Sequence, residues 1–192
     1  MRREFCQGWL LAGCLLGTTC TLTAQEVVHA LTGTVTAISL TSKIIVVKTD
    51  DGSDGLFKVL TNANASLDFA NRIRAGAIAA DAFRKTGTQV LVYYFGTGEN
   101  DLRTAVALED LGVSPLVKVR GTVVKLDRHE HLLTIRNPAG VATTFHIDDK
   151  TVAETALGVV EGEKCDAQKG DQVRVTATPA NGVQTALFIR ER

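Results

Sequence analysis

The sequence predicts an all-β protein built as two tandem five-stranded barrels, each with a short helical insert between its third and fourth strands. Three observations carry that prediction. Gly33-Thr34-Val35 falls under Gly121-Thr122-Val123 at an offset of 88 residues. In the same frame Ile45 lies under Leu133, Val47 under Ile135, Lys48 under Arg136, Phe57 under Phe145 and Val59 under Ile147. Glycine is frequent (17 residues) and aromatics are scarce at 5%, which suits twisted strands and tight turns more than an aromatic-lined pocket.

The chain of 192 residues divides into a segment over 1–24, a first barrel over 27–112 and a second over 116–192. The first segment reads as an export signal. Arg2 and Arg3 precede the apolar run Trp9 to Leu16, and small residues follow up to Ala24. The apolar core is shorter than the ~20 residues that cross a bilayer. Cleavage after Ala24 starts the chain at Gln25. The competing reading takes Leu11-Ala12-Gly13-Cys14 as a lipobox, with a lipid on Cys14. Either way the expected location is periplasmic or extracellular, with no transmembrane span left. Cys6, Cys14 and Cys20 leave with the signal under the first reading, so Cys165 has no disulfide partner and no thiol partners for a metal.

In the first copy, Leu31 to Leu40 reads as a strand, but Val35 and Ile38 are apolar at an odd separation. A flat strand would send them to opposite faces, so a bulge is expected there. Lys43 to Thr49 and Leu56 to Leu60 follow as strands two and three, joined by the polar turn Asp50 to Gly55. Asn62 to Lys85 is Ala-rich and lacks period-2 alternation, which predicts short helical pieces broken at Gly76. Gln89 to Thr97 and Leu102 to Leu111 are strands four and five, with Gly98 to Asp101 as their turn. Gly112-Val113-Ser114-Pro115 is a short link, so the copies are expected to touch. The second copy repeats the plan with strands near 117–127, 131–137, 141–147, 171–178 and 183–190. Thr151-Val152-Ala153-Glu154 fits a capping box and predicts a helix before its fourth strand. Gly87 realigns with Gly170, Val90 with Val173 and Val92 with Val175.

Five strands with a helix between the third and fourth is the plan of the oligonucleotide/oligosaccharide-binding (OB) barrel. A pair of five-stranded meanders that do not close is the alternative. The recurring Gly-Thr-Val, the Phe-x-hydrophobic hairpin end, Gly-x-x-Val-x-Val and Thr-Ala-x-x-hydrophobic also resemble tandem small β-barrel domains of unknown function in exported bacterial proteins. That resemblance spans nearly all of the chain after the signal. It implies fold and location, and brings no catalytic or binding residues.

The candidate sites are few. His129-Glu130-His131 with His146 invites a metal, but the turn Asn137 to Gly140 sets Leu133 opposite Phe145, which puts His131 opposite Ile147 and His146 opposite Leu132. No metal and no cofactor is expected. Asp50-x-x-x-Asp54-Gly55 lacks the middle ligand of a calcium loop, with Thr61 where its glutamate belongs, and reads as a solvated turn. Arg72, Arg74, Arg84 and Lys85 form a basic cluster diluted by Asp68 and Asp81. In the fourth strands, Leu91, Tyr93 and Phe95 match Arg174, Thr176 and Thr178. One outward face is therefore apolar and its twin polar, a contact surface in want of cover. The cover expected is the chain's own insert, through Phe69, Ile73 or Phe83, or the second barrel; a homodimer or partner protein is the alternative.

Lys+Arg and Asp+Glu balance at 21 each, and loss of Arg2, Arg3 and Glu4 leaves a charge of about −1. A chain with that balance lacks the basic excess that binds phosphate backbones. Phe57 and Phe145 point inward, so no stacking platform is offered. Nucleic acid is set aside on these grounds. The expected function is an exported, non-enzymatic binding or structural module, whose partner is an envelope protein, a glycan or a second copy. Enzymes with a site in the crevice between copies, and envelope glycan binders, are the competing classes.

Overall fold

The computed structural model describes residues 27–50, 52–59, 76–96, 103–179 and 182–191. The proposed signal, with Cys6, Cys14 and Cys20, lies outside them, as do Arg72 and Arg74. The first copy supplies β1 (His29–Ser39), β2 (Ile44–Thr49), β3 (Asp54–Val59), β4 (Ile78–Ala79), β5 (Gln89–Phe95) and β6 (Arg103–Gly112). The second supplies β7 (Val117–Asp127), β8 (Leu132–Arg136), β9 (Ala142–His146), β10 (Val152–Thr155), β11 (Gly158–Glu161), β12 (Gln172–Ala177) and β13 (Gln184–Glu191).

The sheets run β3-β2-β1-β5-β6-β4 and β11-β10-β13-β12-β7-β8-β9, and parallel pairs β3–β6 and β13–β9 close each on itself. Without β4 and the β10–β11 hairpin, each copy is a closed five-stranded barrel of OB type. Closure removes the exposed edges that open meanders would leave.

Two local features recur at the same offset. The pairing of β1 with β2 slips between Val35 and Ala37, and that of β7 with β8 slips between Val123 and Lys125. These are the bulges that let a long first strand turn a barrel corner. The glycine of Gly-Thr-Val answers to the same hairpin. A Cβ on Gly33 would lie 2.5 Å from the Lys48 carbonyl oxygen, and one on Gly121 would lie closer still to that of Arg136. Backbone occupies the space that any side chain would need.

The barrel cores match in kind. Phe57 and Phe145 are both fully buried, opposite Ile45 and Leu133. Val90, Val92 and Tyr94 join the first core; Val173, Val175 and Ala177 join the second.

The helical insert of the second copy departs from expectation. In the second copy the chain after Thr151 forms the hairpin β10–β11 and a single 3-10 turn, Gly162–Lys164. The capping box fails because its members are claimed elsewhere. Thr151 Oγ1 donates to the Ala186 carbonyl at 2.7 Å, and β10 pairs in parallel with β13. In the first copy, the described part of the expected helical stretch holds β4 and the 3-10 turn Ala80–Ala82. Residues 60–75 lie outside the described set. No helix among the described residues is long and apolar enough to cross a membrane.

A third buried cluster joins the barrels. Val28, Ala30, Leu91, Tyr93 and Val106 of the first meet Val152 and Phe188 of the second. The Val28 carbonyl also accepts the Val159 amide at 3.0 Å. Leu91 and Tyr93 are thus covered by the second barrel, and Phe95 packs at the margin of the cluster. Phe83 lies in the first barrel's own core instead.

Candidate functional site

The third cluster holds the barrels together on one side and leaves a cleft of about 440 Å³ beside it. Strand alternation decides what faces that cleft. On the outer surface of the second barrel, register sets Arg120 of β7 opposite Arg174 of β12, Arg174 opposite Arg190 of β13, and Arg190 opposite Glu154 of β10. Two positions along the strands, the next row on the same face reads Lys118, Thr176, Phe188 and Val152. That second row goes under the first barrel, with Thr176, Phe188 and Val152 buried. The arginine row is left at the cleft, which Arg174 and Arg190 line.

The first barrel contributes the opposite wall. Arg103, at the start of β6, lies over the ring of Tyr94 with its guanidinium carbon 5.1 Å from the centroid. The charge of Arg190 acts on the Tyr94 hydroxyl from the other barrel. Tyr94 therefore gathers one arginine from each copy. Burial, then the charge of Glu154, raises the pKa of its hydroxyl, and the two arginines oppose that shift. Thr32, Thr49 and Ser53 add hydroxyls to this wall. Thr49 and Ser53 Oγ atoms lie 2.8 Å apart, and Thr32 Oγ1 lies 3.3 Å from Thr176 Oγ1 across the interface.

Three carboxylates belong to the site, and two of them tie the barrels together. Asp50, only 4% exposed at its side chain, accepts from Lys118 Nζ at 2.7 Å and from the Thr32 hydroxyl. The turn expected to be solvated is therefore drawn into the interface at Asp50, because burying the Thr32 hydroxyl there requires an acceptor. Glu154 is 6% exposed at its side chain. His29 Nδ1 donates to its Oε1 at 3.1 Å, and Arg190 Nε sits 2.9 Å from Oε2. Desolvation still outweighs these contacts and holds the Glu154 pKa above the ordinary value. Glu191 is likewise raised by burial and accepts from the Cys165 thiol at 3.4 Å.

The other sequence candidates disperse. Tyr93 donates to Glu109 Oε2 at 3.1 Å inside the barrel interface, where burial raises both pKa values. Lys85 pairs with Asp110 at 2.6 Å, and Arg84 Nη1 donates to the Phe83 carbonyl, so the expected basic cluster does not gather among the described residues. His129 is exposed, the Ile147 amide donates to the His131 carbonyl, and His146 sits opposite Leu132. No group of three or more His, Cys, Asp or Glu side chains that could hold a metal is found among the described residues. Cys165 lies in the second core, where burial pushes its thiol up to about 12.

Sequence reasoning missed Asp50, Arg103, Arg120, Arg190 and Glu154 as site residues. One signal pointed toward them. Arg174 replaces Leu91 in the repeat, which marks that face of the second barrel as polar.

No family model matches this chain, and no curated protein matches it. Among solved structures it is similar to one titled "drosophila Unr CSD456", at 16% identity and a TM-score of 0.32. The match covers 85% of this chain and 61% of that one, so this chain spans about three-fifths of that chain's length. That neighbour consists of cold-shock domains, which are OB-type barrels. The name of that neighbour refers to cold-shock domains, modules that recognise RNA, and the exclusion of nucleic acid made from the sequence is withdrawn. The physical flaw in that exclusion lies in averaging. A net charge of zero conceals Arg120, Arg174 and Arg190 aligned across three strands.

Proposed function

We propose that this chain is an exported, non-enzymatic binding module whose ligand sits in the cleft between its two barrels. One observation carries the reading: polar groups from both copies converge on a single concavity, with Arg103 and Tyr94 on one wall and Arg174 and Arg190 on the other. Its volume, about 440 Å³, falls in the range of small-molecule sites, ~300–1,000 Å³. A repeat whose copies are packed through their outer faces offers a site that neither barrel holds alone.

The group that would favour an enzyme is Glu154, since a carboxyl with a raised pKa in a cleft is a candidate acid or base. His29 hydrogen-bonds one of its oxygens and Arg190 ion-pairs with the other without a hydrogen bond, which fits a strut between barrels better than a proton carrier. Export follows from the order of charged, apolar and small residues over 1–24.

The test is a titration of the isotope-labelled protein with fractions of envelope small molecules and glycans, followed by amide and arginine side-chain shifts. Arg103, Arg174 and Arg190 are expected to move together in one fraction, with the added compound recovered unchanged. Shifts confined to one barrel's far surface would refute the cleft as the site, and a chemically altered compound would refute the non-enzymatic reading.

A further inference from the structure

We propose that one end of the first barrel is a second binding site, which takes up a small uncharged aliphatic molecule. It shares no lining residue with the cleft and does not depend on the cleft reading.

The repeat itself exposes the site. Lys43 and His131, 88 residues apart, both adopt a positive φ of 53°. Their carbonyls accept the amides of Val59 and Ile147, each at 2.8 Å. The 3-10 turns Ala80–Ala82 and Gly162–Lys164 follow at matching places, 82 residues apart. These features mark the same end of each barrel. In the second copy that end is nearly filled, with a cavity of about 40 Å³ beside Leu126, Ile147, Gly162 and Cys165. In the first copy the corresponding space is about 250 Å³, walled by Ile38, Leu40, Ile45, Val59 and Ala80.

Two replacements account for the difference. Gly162 lets its turn press against the barrel: a Cβ there would lie 2.6 Å from the Thr151 Cβ and 3.0 Å from the Ile147 Cγ2. Ala80 stands at that position in the first copy, and its methyl group needs the space that Gly162 gives up. Val59 also takes the place of Ile147 and is one methylene smaller. Phe83, where the second copy has Cys165, fills the first core and does not line the cavity.

The lining narrows the guest. Protein interiors hold few voids larger than a water molecule, and an apolar cavity left open takes up an apolar molecule of matching size. Leu40 rims the mouth, a large apolar side chain left 61% exposed. The wall is aliphatic, which suits a flexible hydrocarbon chain. A water molecule takes about 30 Å³ of liquid and a methylene group is of similar size, so the space holds roughly eight carbons. The rim decides the head group. Arg84 and Asp81 both line it, one a cation and one an anion. Neither Arg84, which donates from Nη1 to the Phe83 carbonyl, nor Lys43, which has an interaction of its own, is required as a free charge. A hydroxyl both donates and accepts, so it meets a partner in either rim residue. A charged head meets a like charge in one of them.

The experiment is a titration of the full chain, with its Ile, Leu and Val methyl groups isotope-labelled, using 1-butanol, 1-hexanol, 1-octanol, octanoate and octylamine as separate probes. 1-Octanol is expected to move the methyl signals of Ile38, Leu40, Ile45 and Val59 and to leave those of Leu126, Leu133 and Ile147 in place. Affinity is expected to rise about fourfold per added methylene up to 1-octanol, with octanoate and octylamine both weaker. Val59→Phe, which fills the space, and Leu40→Asp, which charges the mouth, are each expected to bind 1-octanol at least tenfold more weakly. Leu157→Asp, at an exposed leucine of the second barrel, is expected to bind it equally. Should Val59→Phe fail to fold, Leu40→Asp at its exposed site still decides. Absence of 1-octanol binding would overturn the proposal, as would equal binding by the parent and Leu40→Asp. Tighter binding of octanoate or octylamine would overturn the uncharged class. Nuclear Overhauser contacts from the Phe69 ring into the cavity of the unliganded chain would assign the space to the chain itself and overturn the proposal as well. Shifts confined to Arg103, Arg174 and Arg190 would overturn it and leave the cleft reading standing.

Discussion

Phe188→Ala asks whether the two barrels act as one body. Phe188 lies on the outer face of β13, 3% exposed, and packs with Leu91, Tyr93 and Ala30 of the other barrel. Truncating a buried Phe costs ~3–5 kcal/mol, a large part of the ~5–15 kcal/mol that holds a domain folded. For a cooperative unit of this size, each kcal/mol moves the melting temperature by ~2–4 °C, giving a fall of roughly 6–20 °C. The chain carries its own reporter of coupling. Its two tyrosines, Tyr93 and Tyr94, are both on β5 of the first barrel, while the substitution is in the second. With a chain begun at Gln25, which lacks Trp9, tyrosine near-UV dichroism reads the first barrel and far-UV dichroism reads both. The fused account expects the two signals to fall together at the lowered midpoint. A tyrosine transition that stays at the parent's midpoint while the far-UV transition drops would refute it.

Three further outcomes follow from the same geometry. Gly121→Ala and Gly33→Ala are each expected to cost about 1–3 kcal/mol in denaturant titration, since a Cβ at either site meets hairpin backbone that cannot rotate away. Unchanged midpoints would refute that account of the repeated glycine. Glu154→Gln tests the raised carboxyl: its folded pKa lies above the ordinary 4.5, so its contribution is full below that pH and is lost as pH rises through the folded value. The variant, fixed in the neutral form, is expected to lose less stability than the parent as pH rises from 4.5 through that range, and identical pH slopes would count against it. Cys165 is expected to resist alkylation in the native protein and to react on unfolding, and rapid native labelling would contradict its burial.

The barrels were legible in the sequence because their requirements are local. Gly-Thr-Val marks the close approach of a bent first strand to its hairpin, and the odd spacing of Val35 and Ile38 marks the bulge. The register around Asn137 to Gly140 followed from keeping Leu133 with Phe145. The capping box misled for a physical reason. Thr151 and Glu154 have the right spacing to cap a helix, but tertiary partners, the Ala186 carbonyl for one and Arg190 and His29 for the other, hold them at the start of and within a strand. The cleft was hidden more deeply. Arg120, Arg174 and Arg190 are far apart in the chain, and only the pairing of β7, β12 and β13 lines them up. Asp50 looked like a turn residue because nothing in its neighbourhood of the chain discloses Lys118.

The most direct measurement of the central claim is a crystal structure of the protein purified gently from its native envelope fraction. The account predicts ordered ligand density between the barrels, in contact with Arg103 on one side and with Arg174 and Arg190 on the other. Ligand density on a different surface, with solvent alone in the cleft, would contradict it.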